Sequence, residues 1–241
     1  MTYIDKVERE LDRWERRIKR PPSVTSKLTK GWQNKINAKI PERFHQTVAE
    51  SVKQMVKATL FGSDYFSDQK VMTNLTLEER ERELEKVIEK YKRTAALEGA
   101  GTGAGGILLG MADFPLLLSI KMKFLFDSAK IYGHDVSDYR ERLFLLSIFQ
   151  LAFSKEEKKL AALKRIKNWK ATFKQLPEEK GHLNSIDWKT FQLEYRDFID
   201  LPKMMQLIPG FGAIVGAIAN YKFLDLLADH AKNSFRYRML R

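Results

Sequence analysis

Residues 95–115 read AALEGAGTGAGGILLGMADFP, with six glycines between Gly99 and Gly110 and one carboxylate, Asp113, in apolar surroundings. Gly101, Gly103 and Gly106 fit G-x-G-x-x-G, whose backbone cradles a dinucleotide pyrophosphate when a strand precedes it and a helix follows. Here the preceding LEKVIEKYKRTAALE is charged and helical in pattern, and no second strand carrying an acid follows. Nucleotide binding is therefore not expected. A P-loop is excluded because no Gly-Lys-Ser/Thr follows the glycines. Asp113 is the residue best placed for acid–base or ligand chemistry. Buried carboxylates are normally paired or hydrogen-bonded, and the plainer expectation is a polar lock to Asn220 or a backbone N–H, with Lys121 two turns away.

The remaining chemistry is sparse. G-x-S-x-G and H-E-x-x-H are absent, and the four histidines, His45, His134, His182 and His230, are scattered. His134 beside Asp135, in YGHD, reads as a surface-loop pair. Asp225 and Asp229 share a helix face with His230 nearby, a partial metal set, but pairing with Lys222 or Lys232 is the simpler reading. Neither a catalytic group, a metal nor a cofactor is assigned.

The glycines have a packing use. Gly106 and Gly110 lie on one helix face, and Gly212 and Gly216 repeat the spacing in IPGFGAIVGAIANYKF. Small residues at that spacing allow close backbone approach, so a central pair of glycine-faced helices is expected. From Gly99 to Ile120 the only charge is Asp113, and Met204 to Tyr221 carries none. Both runs touch the ~18–20-residue length of a membrane span. Pro115, Pro209, Gln206 and Asn220 weaken them, so partial membrane contact and burial in a soluble core both stay open.

The elements around these runs read as helices. Ile4, Val7, Leu11, Trp14 and Ile18 give an amphipathic first helix that stops at Pro21-Pro22. Leu28, Trp32 and Ile36 mark a basic segment over 24–39, and a helix runs from Pro41 to about Leu60. Gly62 to Asn74 is a loop. Thr76 and Glu79 form a capping box before a charged helix with Glu89 and Arg93 placed to pair. The apolar run continues to about Tyr132 and ends at Gly133. Leu143–Phe153 is too short to span a bilayer and reads as a core helix. Ser154 and Glu157 resemble a second capping box, opening a basic helix. Leu176–Ser185 is a loop, and helices follow at about 187–207 and 212–238, broken at Pro209-Gly210. No run alternates long enough to argue a sheet. The expected fold is all-α, one helical domain with a central Gly-rich pair and peripheral basic amphipathic helices.

The chain has 241 residues, a net charge of +12 and no cysteine, with a mean hydropathy of -0.40. Disulfides and thiolate metal sites are excluded, and an intracellular setting fits. The charged stretch Met1–Arg20 lacks the apolar core of a signal peptide. Between Arg16 and Pro41 lie Arg16, Arg17, Lys19, Arg20, Lys27, Lys30, Lys35 and Lys39 with no acid. Residues 155–174 form a second basic run. Such runs suit anionic partners, a membrane surface or nucleic acid. Trp14, Trp32 and Trp169 lie within basic helices and fit either a lipid interface or the core.

EGAGTG followed by GMADFP, YGHD at 132–135 and IPGFGAIVGAIAN together resemble the EcsC family, with weaker support from KIPERFHQTV at 39–48. That resemblance covers most of the chain from residue 39, leaving 1–38 as separate basic helices and 39–241 as the EcsC-like domain. It marks Glu98, Gly99, Gly103, Gly106, Asp113, Pro115, Tyr132, Gly133, Pro209, Gly212, Gly216 and Asn220 as motif positions without a chemical role. The family is named for a protein encoded beside an ABC transporter in Gram-positive bacteria. It implies a transporter-associated helical protein; together with the basic runs, the expectation is a non-enzymatic accessory of an ABC transporter or membrane protease system at the cytoplasmic membrane surface, with anionic lipid and ABC-transporter subunits as candidate partners. A soluble enzyme centred on Asp113 and nucleic-acid binding through the basic runs are the alternatives, the latter supported by charge alone.

Overall fold

The computed structural model describes residues 2–20, 42–61, 67, 69–104, 106–154, 158–176 and 213–241, and within its helices side chains are described except at 42–45, 48, 98–104, 106–113 and 213–219. Among the described residues the regular structure is eight helices and no strand: α1 (Tyr3–Lys19), α2 (Glu42–Phe61), α3 (Leu77–Ala104), α4 (Gly106–Ile131), α5 (Tyr139–Phe153), α6 (Lys159–Lys167), α7 (Trp169–Gln175) and α8 (Ala213–Leu240). The segment 24–39, the loop at 177–185, the helix at 187–207, the break at Pro209-Gly210 and Trp32 and Trp188 lie outside the described residues.

Helix starts follow side-chain chemistry. Thr76 and Glu79 close the expected capping box on α3, with Glu79 N donating to Thr76 Oγ1 and Thr76 N to Glu79 Oε2. Thr2 and Asp5 close another on α1, although Thr2 was not expected to cap. Ser154 departs from expectation: its hydroxyl donates back to the Gln150 carbonyl at the end of α5. The basic helix starts only at Lys159, with no side-chain cap.

The charged stretch before the glycines does not stop at Leu97. α3 continues to Ala104 and α4 begins at Gly106, so the glycine-rich stretch straddles two helices. Gly133 ends α4 as expected. His134 N donates to Ala129 O and Gly133 N to Lys130 O, with Gly133 at φ +88°, the bond pattern of a glycine-terminated helix. A Cβ at Gly133 would also stand 3.2 Å from Met72 O.

One core joins these helices. α5 is apolar on nearly every side, and almost all of it is buried, as the packing of such a helix requires. Val7, Leu11 and Trp14 of α1 belong to the same core, so the first helix is part of the bundle rather than an appendage. Trp14 and Trp169 are each 2% exposed, which settles both as core residues. Trp14 Nε1 donates to His230 Nδ1 at 3.2 Å.

Candidate functional site

Ion pairs fix how the long helices run. Lys92 meets Asp225 at 2.6 Å, Lys232 meets Glu85 at 2.7 Å and Arg236 meets Glu81 at 2.6 Å. Residue numbers rise along α3 as they fall along α8, so the two are antiparallel. Tyr91 Oη donates to Asp127 Oδ2, and Arg80 Nη1 to Ile131 O, which folds α4 back along α3. The start of α8 therefore lies at the same end of the bundle as the α3–α4 junction. Gly216 of α8 and the glycines on either side of the α3–α4 junction therefore lie at one end of the bundle. The faces presented by Gly106, Gly110 and Gly216 lie outside the described side chains.

Three exposed apolar residues lie toward that end, while Ile4, Phe61, Val71 and Met239 are exposed elsewhere. Leu97 is 74% exposed, Leu116 46% and Tyr221 39%. Counted at about 1.5 Å per residue, each lies about 10–15 Å from the outer end of its helix. Among the described residues, no helix is long and apolar enough to cross a membrane. Just inside this belt, Arg93 and Lys222 are exposed and make no ion pair among the described residues. Glu89 instead meets Lys92, so the expected Glu89–Arg93 pair does not form.

Next to the belt, an open cleft of about 670 Å³ runs between α1, α3, α8 and the start of α6. Its cations are Arg17, Lys92, Lys159, Lys222 and Lys232. Its carboxylates are all engaged: Asp225 by Lys92, Asp229 by Arg17 and Glu85 by Lys232. Asp225 and Asp229 thus pair, but across helices rather than with Lys222 or Lys232. No metal-holding group of His, Asp and Glu occurs among the described residues.

At the opposite end, the YGHD turn is packed inward. Tyr132 stacks on Phe235 at 4.7 Å and His134 stacks on the same ring at 5.5 Å. The expected surface pair is therefore split: Asp135 caps Ser137 N from the exposed side, while His134 is 19% exposed. Burial, with the Arg238 and Arg80 charges, pulls His134 down from 6.5 to about 3. Glu141 lies 3.8 Å from its Nδ1 and would favour protonation, but both Glu141 oxygens accept from Arg238. Between pH 6.5 and 3 the unfolded chain therefore binds a proton that the folded chain does not, and stability falls with acidification. Chemical denaturation should show a loss of up to about 2 kcal/mol from this group between pH 7 and pH 5. His134→Phe should flatten that limb while keeping the stack; an unchanged pH profile would show that His134 protonates freely in the fold.

Sequence comparison matches residues 5–240 to the model of the EcsC protein family. The chain belongs to the EcsC family. It is 46% identical over 241 residues to Protein EcsC of Bacillus subtilis (strain 168), covering 100% of this chain and 98% of that protein. It is also 26% identical over 262 residues to the uncharacterized protein YdbA of the same strain, covering 98% of this chain and 90% of that one. No solved structure matches. The EcsC match takes in α1, which the sequence motifs alone did not reach.

The EcsC motif positions fall at two ends of the bundle. Tyr132 and Gly133 form the inward turn. Glu98, Gly99 and Gly103 lie near the end of α3, Gly106, Asp113 and Pro115 on α4, and Gly216 and Asn220 on α8. Pro209 and Gly212 lie outside the described residues. Pro115 is exposed inside its helix, and Ser119 Oγ donates to its carbonyl at 2.9 Å. Asn220 is wholly buried, and neither amide atom has a partner among the described residues. The lock to Asp113 rests on a side chain outside them. Lys121, noted in the sequence as two turns from Asp113, is buried on α4 without a carboxylate among the described residues.

Of the expected anionic-surface residues, Lys27, Lys30, Lys35 and Lys39 lie outside the described residues. Arg16, Arg17, Lys19 and Arg20 are all exposed, but Arg17 is tied to Asp229 and Lys19 to Glu15.

Proposed function

We propose that this EcsC family protein is a non-enzymatic accessory of a membrane system, held to the cytoplasmic face of the cell membrane by anionic lipid. The observation that carries this reading is the joining of the two basic elements. Lys167 of α6 meets Glu15 of α1 at 2.6 Å, which sets the basic end of α1 beside α6 and α7. Arg16 and Arg20, with Lys164, Lys170 and Lys174, are exposed and make no ion pair among the described residues. Each such cation near an anionic surface contributes about 1 kcal/mol. The neutralised carboxylates of the cleft favour a binding surface over acid–base catalysis. The link to an ABC transporter rests on the family resemblance, and copurification with transporter subunits tests it separately.

Vesicle flotation tests the membrane reading. Binding should require anionic lipid and weaken steeply as salt rises. Reversing Arg16, Arg20, Lys170 and Lys174 to glutamate should weaken it by at least about tenfold. Equal binding to neutral vesicles would refute the electrostatic reading. Tighter, salt-sensitive binding to DNA would favour a nucleic-acid partner.

A further inference from the structure

We infer that Lys121 and Asn220 form an enclosed site for a small monovalent anion, a halide such as chloride, between α4 and α8. The inference is independent of the membrane reading above.

Two buried polar side chains lack what burial ordinarily demands. Lys121 is 1% exposed and Asn220 0%. The Lys121 ammonium has three N–H donors and places one on Leu117 O at 3.3 Å. Neither amide atom of Asn220 has a partner among the described residues. Buried groups in this state are the exception in folded proteins, and an absent ion or water is a standard cause. Asp127, six residues after Lys121, is engaged by Ser67 and Tyr91. Among the described residues no charge offsets the burial of the lysine.

Helix register brings the two side chains to one level. α4 and α8 start at the same end of the bundle and run the same way, and Tyr132, just past α4, stacks on Phe235 of α8 at 4.7 Å. Leu117 and Asn220 each stand fifteen residues before that stacked pair, about 22 Å along their helices. Lys121 shares a helix face with Tyr132, three turns on, and its ammonium reaches back to Leu117 O. It therefore arrives at the height of the Asn220 amide. Asn220 belongs to the inward seam of α8, with Leu224, Leu227, Ala231 and Phe235, all buried.

Charge decides what completes the pair. A direct bond from Lys121 to Asn220, or a bridging water, would satisfy polarity but leave the ammonium uncompensated in the interior. An anion does both. It accepts from Lys121 Nζ and Asn220 Nδ2, while Asn220 Oδ1 takes a further ammonium N–H. Enclosure sets the size: phosphate or a carboxylate would force the helices apart, whereas a halide asks for a single-atom gap.

The test is the melting temperature of the full chain at pH 7 and constant ionic strength, as gluconate is exchanged for chloride or bromide. The wild type should gain roughly 3–6 °C once the halide reaches about ten times its dissociation constant. Lys121→Met and Asn220→Leu should show no gain, so chloride narrows the gap between Lys121→Met and wild type. The chloride-35 resonance should broaden with the wild type and not with either variant. Equal gains in all three proteins would be a general salt effect and overturn the inference. An equal response to phosphate or acetate overturns the halide assignment. Asp113, eight residues before Lys121, has its side chain outside the described residues, so Asp113→Asn is the further control and should respond like the wild type. A halide response that appears only in Asp113→Asn makes Asp113 the counter-charge and overturns the inference, as does the absence of any response.

Discussion

Glu81→Gln should destabilise the fold by about 3 kcal/mol, read as a melting temperature lower by roughly 6–12 °C for a chain of this size. Arg236 Nε and Nη2 both donate to Glu81, at 2.7 and 2.6 Å. The two side chains are only 5% and 3% exposed. Burial alone would raise the Glu81 carboxyl, but hydrogen bonds and charge from Arg236, with Tyr3 and Lys232, hold it below its ordinary value. Glutamine keeps the shape and one acceptor and removes the charge. Breaking one side of a buried pair typically costs about 3–5 kcal/mol, because the other charge is left uncompensated. The lower end applies here, since Arg236 Nη1 keeps Glu10 at 2.9 Å. The double variant Glu81→Leu with Arg236→Met should recover most of the loss, as apolar replacements of whole buried pairs do. A single variant that melts like the wild type would mean that water reaches the pair.

That pair also marks the boundary of what the sequence reveals. Local signals read correctly: the period of apolar residues in α1, the Thr76–Glu79 cap, the turn at Gly133 and the burial of Leu143–Phe153. Each depends on neighbours within about one helical turn. The ion pairs did not read correctly, because their partners lie far apart in the chain. Glu89 was matched to Arg93 by spacing, yet Lys92 is drawn between Glu89 and Asp225 of α8. Asp229 was matched to its own helix and meets Arg17 instead.

The same limit governs the candidate site. Two glycine runs about a hundred residues apart are visible in the sequence, but only the antiparallel course of α3 and α8 brings them to one end. His134 looked like a loop residue because Gly133 ends the helix before it; the ring of Phe235, a hundred residues on, is what draws it inward. Ser154 followed the right spacing for a cap but faces the wrong way along the chain, because a serine hydroxyl can equally bond the carbonyl four residues back.

Lys121→Met should raise the melting temperature at pH 7, by roughly 6–12 °C. Lys121 is 1% exposed, and its ammonium donates to Leu117 O at 3.3 Å, a carbonyl of its own helix. Burial draws its pKa from 10.5 down to about 8. Between those values the unfolded chain binds a proton that the folded chain does not, so stability rises with pH across that window. At pH 7 both states are charged, and the folded one carries the cost of a buried ammonium, about 3 kcal/mol at 1.36 kcal/mol per pKa unit. Methionine has similar length and flexibility and no charge to bury, so it removes that cost. At about 2–4 °C per kcal/mol the gain is easily measured, and it should shrink as pH climbs past 8 and vanish above about pH 10. A lower melting temperature would mean that Lys121 is held by an anion. Function then separates two reasons for keeping the lysine. A stabler variant that still binds vesicles makes the buried charge dispensable to membrane contact. A stabler variant that no longer binds makes it part of the membrane contact, where bound headgroups would supply the counter-charge that is absent among the described residues.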